Sequence, residues 1–128
     1  MLHITPIYAC VLALIFIYLT FCVIGFRRGN QIGLGDGGDK TLLRRIRAHS
    51  NFAEYAPFAL ILMAFAELAG APGWQLHIIG TLLVLGRLLH AIGFGREPET
   101  MNLRVAGMLM TIFALLTGVI FNLLASFT

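Results

Sequence analysis

The stretch Arg44-Arg45-Ile46-Arg47-Ala48-His49-Ser50-Asn51-Phe52-Ala53-Glu54-Tyr55-Ala56-Pro57 runs directly into Phe58-Ala59-Leu60-Ile61-Leu62-Met63-Ala64-Phe65-Ala66. A polar helix therefore continues into an apolar one with no turn residue between them. Arg44, Arg47, Asn51 and Glu54 follow at steps of 3, 4 and 3, so at 3.6 residues per turn all four project from one face. A soluble amphipathic helix would carry polar groups along its whole length; here they stop, and the helix reads as membrane-spanning. Charged and amide groups at that depth are costly in lipid and need partners or a bound polar ligand.

Working outward, the rest of the chain has the same character. Of 128 residues, 59% are hydrophobic and 12% charged, against roughly 45–50% and 25% in soluble domains. A soluble core of this size could not bury so much apolar side chain, so the chain falls in the membrane class. Four spans are expected, at approximately 5–26, 41–70, 74–94 and 103–127, in a single domain covering 1–128. The expected fold is all-α, an up-down-up-down four-helix membrane bundle. The first and last spans carry almost no polar residues. The inner pair carries Glu54, Glu67, His77, Arg87 and His90, which makes it the working pair. The first span reads as a retained helix, not a cleaved signal: no basic residue precedes it, its apolar run is long, and Arg27 and Arg28 follow it.

Six of the nine basic residues (Arg27, Arg28, Lys40, Arg44, Arg45, Arg47) lie between the first two spans or at the mouth of the second. Arg87, Arg96 and Arg104 lie late in the third span, in the third loop or at the start of the fourth span. The positive-inside rule makes that end cytoplasmic and puts both termini outside. The net charge of +3 then reflects orientation, and no nucleic-acid partner is expected. Cys10 and Cys22 are twelve residues apart in the first span, about 18 Å along a helix, too far to bridge within the chain; both read as packing residues.

The first loop is rich in glycine, but no Gly-Lys-Ser/Thr follows it, so it reads as a flexible turn and not a phosphate loop. Asp39 or Thr41 is the expected cap of the second helix. The tight turn Gly70-Ala71-Pro72-Gly73 makes the second and third helices antiparallel, with Trp74 as an interfacial anchor. Glu67 and His77 flank this turn and are expected to pair across it. Pro57 is expected to kink the second span. The third loop, with Arg96-Glu97-Pro98-Glu99, reads as a solvated connection.

Arg87 and His90 form a second stripe at a depth similar to Glu54, and Arg104 approaches from the same side. The convergent set is mainly cationic, with Glu54 as its one carboxylate. An anionic ligand with carboxylates, plus an amine for Glu54, would complete the balance, because guanidiniums bind carboxylates in bidentate fashion.

The pattern Arg-x-x-Arg-Ala-His-x-Asn-x-x-Glu-Tyr-x-Pro at Arg44 to Pro57 resembles the second-helix signature of the MAPEG family, membrane-associated proteins in eicosanoid and glutathione metabolism. Length, four spans, Arg87-x-x-His90 and Arg104 at the start of the fourth span fit the same family over essentially the whole chain, and the loop resembles its bacterial branch. The resemblance implies a homotrimer in the bacterial inner membrane that binds glutathione as cosubstrate between subunits and meets hydrophobic small molecules or lipids from the bilayer. The activity implied is detoxifying: conjugation of glutathione to hydrophobic electrophiles, or reduction of lipid hydroperoxides. By position, Arg47, Asn51 and Glu54 would hold the tripeptide, Arg44 and His49 would support it, and Tyr55 would line the site. Arg27 or Arg28 would reach it from the first helix, and Arg87 and His90 from the third. Arg104 stands where the family has the arginine thought to stabilise the thiolate. A thiol of pKa near 8.5 is mostly protonated at neutral pH, and an adjacent guanidinium favours the nucleophilic thiolate. No metal is expected.

Two departures stand out. Phe94 occupies a position where relatives often have tyrosine, and Val105 one where the prostaglandin-forming relatives have serine. Other classes consistent with the composition are a noncatalytic lipid- or glutathione-binding membrane protein and a small proton-coupled exporter. The exporter would need a carboxylate in the first span, which has none.

Overall fold

The computed structural model describes residues 1–127 and contains four helices: α1 (Thr5–Gly29), α2 (Lys40–Leu68), α3 (Gly73–Gly95) and α4 (Met101–Phe127). No strand occurs among the described residues. Each helix is long and apolar enough to cross a membrane, and short connections join them into the expected four-helix bundle. Against expectation, α1 runs on to Gly29 and therefore carries Arg27 and Arg28 on its last turn, where cations oppose the negative end of the helix dipole. Asp39 caps α2, its carboxylate accepting from the Leu42 amide at 2.9 Å. Gly38, just before the cap, has φ +77°, which only glycine adopts readily. α2 continues through Pro57 without interruption.

The core is thin because the bundle's outer faces are made for lipid. Leu12 and Leu19 of α1, Phe52, Ala59 and Met63 of α2, Ile79 and Leu83 of α3 and Ala114 of α4 meet at the centre. Large side chains such as Leu14, Phe58, Phe113 and Ile120 are left exposed, the distribution expected where the solvent is hydrocarbon. Close backbone contact holds α3 to α4. A Cβ on Gly107 would lie 2.4 Å from the His90 amide nitrogen, and one on Gly93 would lie 2.7 Å from that of Arg104. Small residues at such crossings let membrane helices gain dispersion contacts that oil-like side chains alone do not provide. Asn122 of α4 donates to the carbonyls of Leu62 at 2.8 Å and Gly118 at 2.7 Å, tying α4 to α2 through a polar bond inside the apolar layer.

The expected pairing of Glu67 with His77 is not what the fold makes. The Glu67 carboxylate accepts from the backbone amides of His3 at 2.5 Å, Ile4 at 2.7 Å and Thr5 at 2.7 Å. The start of α1 offers unpaired N–H groups beside it, and three charge-assisted bonds satisfy a carboxylate better than one imidazole. His77 instead shares a hydrogen bond with the Tyr8 hydroxyl at 2.9 Å. The Tyr8 ring lies so close over Gly80 that any Cβ there would come within 2.5 Å of it.

Candidate functional site

The polar stripe of α2 forms one wall of a cleft of about 510 Å³ whose opposite wall comes from α3 and α4. Arg44, Arg47, Asn51, Tyr55, His90 and Arg104 supply its polar lining. Leu43, Phe94, Met101, Val105 and Met108 supply the apolar part.

A buried guanidinium organises the back of the cleft. Arg87 is 1% exposed and donates through one amino nitrogen to Asn51 Oδ1 at 2.7 Å and to His90 Nδ1 at 3.0 Å. It also lies 5.5 Å from the centre of the Phe52 ring. These bonds fix the polarity of two lining groups. Asn51 must turn its amide oxygen toward Arg87, which leaves its NH₂ donor for the cleft. His90 accepts at Nδ1, so its ring hydrogen sits on Nε2. Arg87, which the family resemblance places among the glutathione-binding residues, stands behind Asn51 and His90 and does not line this cleft.

Arg104 opens α4 with its guanidinium 3.7 Å from the centre of the Phe94 ring and ion-paired to Glu99. The aromatic face attracts the cation, so Phe94, without a hydroxyl to offer, still positions Arg104. Arg44 pairs with Glu97, which also accepts from the Thr41 hydroxyl at 2.6 Å. The Thr41 hydroxyl and the Arg44 guanidinium together hold the Glu97 carboxyl below the usual carboxylate range. Two carboxylates of the α3–α4 connection thus pair with two cleft arginines. Glu54 is therefore not the only acid balancing these cations, and the connection is not merely a solvated loop. Sequence periodicity had no access to this, since Glu97 and Glu99 lie outside any helix and loop geometry alone brings them to Arg44 and Arg104.

Glu54 sits beside the cleft, 4.0 Å from Arg47, and both side chains are 54% exposed. Glu54 is ten residues beyond Arg44, about 15 Å further along the helix, so its exposed charge lies well along α2 from the arginine-rich end. The remaining expected residues lie elsewhere. His49 turns to α1, where it stacks on Phe16 at 4.7 Å and bonds Thr20 at 3.1 Å. It is two residues before Asn51, nearly opposite it on a helix, so it cannot share the cleft of its own chain. Arg27 donates to the Gly35 carbonyl at 3.0 Å. Arg28 is exposed at the end of α1. Neither lines the cleft.

Fold and site together define a four-helix membrane protein with a cationic cleft opening between α2, α3 and α4. The chain belongs to the MAPEG family, whose pattern matches residues 5–124. It is also similar to Inner membrane protein YecN of Escherichia coli K12, 39% identical over 120 residues that cover 94% of this chain and 90% of the relative. The YecN protein of Escherichia coli O6:H1 matches to the same extent.

Proposed function

We propose that this protein is a glutathione-dependent enzyme of the inner membrane, acting as a homotrimer with both termini outside, that conjugates glutathione to hydrophobic electrophiles or reduces lipid hydroperoxides with it. The observation that carries the reading is the meeting of Arg44, Arg47, Asn51, Tyr55, His90 and Arg104 on one cleft. The YecN proteins are named as inner membrane proteins, and the four apolar helices suit the same location.

Arg44 and Arg47 suit the two carboxylates of glutathione, and Glu54 suits its amine. Asn51 and His90 offer N–H donors to its peptide groups. Arg104 faces the thiol and favours its thiolate. In conjugation the thiolate attacks the electrophilic carbon, a C–S bond forms, and the displaced group leaves with the electron pair. In reduction a hydroperoxide and two glutathiones give an alcohol, water and glutathione disulfide. An exposed Glu54 side chain so far along a membrane-spanning helix calls for a covering polar surface. A second copy would provide it, bringing its own Arg27 or Arg28 to the open side of the cleft.

Titration with glutathione tests the reading. The purified protein is expected to bind glutathione and develop a thiolate absorbance band near neutral pH. In Arg104→Ala the apparent thiol pKa is expected to rise by about 1–2 units. Absence of binding removes the proposal, and binding with an unchanged thiolate band in Arg104→Ala removes Arg104 from the role.

A further inference from the structure

A second cavity of about 510 Å³ lies between α1, α2 and α3, and only Arg44 and Phe94 border both it and the glutathione cleft. Its walls are apolar, and its arginines, Arg44, Arg45 and Arg96, all sit at one end. We propose that this groove binds an anionic phospholipid from the leaflet on the arginine-rich side, its phosphate held by Arg45 and Arg96 and an acyl chain lying along Leu14, Tyr18, Leu88 and Ile92.

Three observations support that occupant. The first is length. Leu14 is eight residues from Cys22 on α1, and Leu88 of α3 is seven residues before the helix's end at Gly95, next to Arg96, so each wall runs roughly 10–12 Å from the arginines. One leaflet of a hydrocarbon core about 30 Å thick has nearly that depth. The second is access. Leu14 is 68%, Tyr18 67%, Ile92 43% and Leu88 38% exposed, so the groove opens to the bilayer along its side.

The third is charge. Arg44 pairs with Glu97 and also lines the other cleft, while among the described residues no carboxylate is ion-paired with Arg45 or Arg96. Arg45 is nevertheless held in place. It donates to the Cys22 carbonyl at 3.1 Å and lies 5.0 Å from the centre of the Phe26 ring, contacts that leave further guanidinium donors for a phosphate. A neutral lipid would leave Arg96 with no carboxylate partner and Arg45 with only the longer-range field of Glu97. Glutathione, polar along its whole length, is a poor fit for a groove whose walls beyond the arginines are apolar. The cavity volume falls within the roughly 300–1,000 Å³ of small-molecule sites. The proposal does not depend on glutathione chemistry.

The test is native mass spectrometry of the full chain released from nanodiscs containing equal phosphatidylglycerol and phosphatidylethanolamine. Wild type is expected to retain phosphatidylglycerol in preference. Arg96→Gln, in an exposed loop where folding is not at stake, is expected to lose about five-fold in retention, and the double variant R45Q/R96Q about 25-fold. Ala91→Phe, which fills the groove and keeps the arginines, is expected to lose the lipid as well. Far-UV circular dichroism and the elution profile in detergent serve as the folding control for each variant. Equal retention of the two lipids, or unchanged phosphatidylglycerol retention in both arginine variants, overturns the proposal. So does competition by glycerol 3-phosphate as effective as that of intact lipid, which would reduce the site to surface arginines. A change of subunit number in Ala91→Phe with lipid retention intact would assign the groove to a second copy and also overturn it.

Discussion

Substituting Gly107 by alanine tests whether close α3–α4 contact positions Arg104. The new Cβ would stand 2.4 Å from the His90 amide nitrogen, 2.5 Å from the Gly86 carbonyl oxygen and 2.8 Å from His90 Cα, whereas ordinary contact begins near 3.4 Å. The shortfall of 1.0 Å (3.4 − 2.4) falls on backbone atoms, so no side-chain rotation relieves it and the helices must separate. Overpacking of this kind costs about 1–3 kcal/mol. Arg104 is three residues before Gly107, less than one turn away, so it moves with α4 while Phe94 and His90 stay on α3. If the proposed function holds, a displacement of Arg104 near 1 Å is expected to lower the conjugation rate by about 100-fold. Thermal unfolding followed by circular dichroism in detergent measures the stability loss, and the glutathione thiolate band measures the effect on the site. Gly25→Ala is the control, since its Cβ meets nothing within 4 Å and alanine favours the helix. If Gly107→Ala matches Gly25→Ala in both measurements, the packing account of the site is wrong.

Arg87→Met removes the donor to Asn51 and His90 and is expected to destabilise the protein by about 1–3 kcal/mol, the cost of leaving buried acceptors without their donor. Chemical denaturation in mixed micelles would show this, and a loss below 1 kcal/mol would contradict the network. The Glu97 carboxyl is held below its ordinary pKa, so its contribution is complete above the unfolded carboxylate pKa of about 4.3 and is lost as pH falls through the lower folded value. Proteolytic cleavage of the α3–α4 connection is therefore expected to stay slow at pH 5, to rise only at more acidic pH, and to be fast at neutral pH in Glu97→Gln; equal cleavage of wild type and variant at pH 7 would refute the tether. Glu99→Gln frees Arg104 from its internal counter-ion and is expected to tighten glutathione binding about two- to five-fold, as for a partly exposed pair. Calorimetric titration showing weaker binding would reverse that assignment.

The membrane class, the four helices and the α2 stripe were legible in the sequence because each rests on local quantities. An apolar run near 20 residues has few alternatives to a spanning helix. Steps of 3 and 4 place Arg44, Arg47, Asn51 and Glu54 on one face wherever the helix sits, and the Asp39 cap acts within its own first turn. The tertiary structure alone decided the partners. Glu67 reached across the bundle to amides of residues 3 to 5, His49 turned to α1, and Arg87 became the support behind Asn51 and His90. Glu97 and Glu99 came onto Arg44 and Arg104 because the path of a short connection, which no periodicity encodes, set where their carboxylates end. Helical repeat fixes which side chains share a face, but a charged group in a low-dielectric bundle goes to whichever counter-charge or orphan backbone donor the packing brings within bonding distance, and packing is a property of all four helices together.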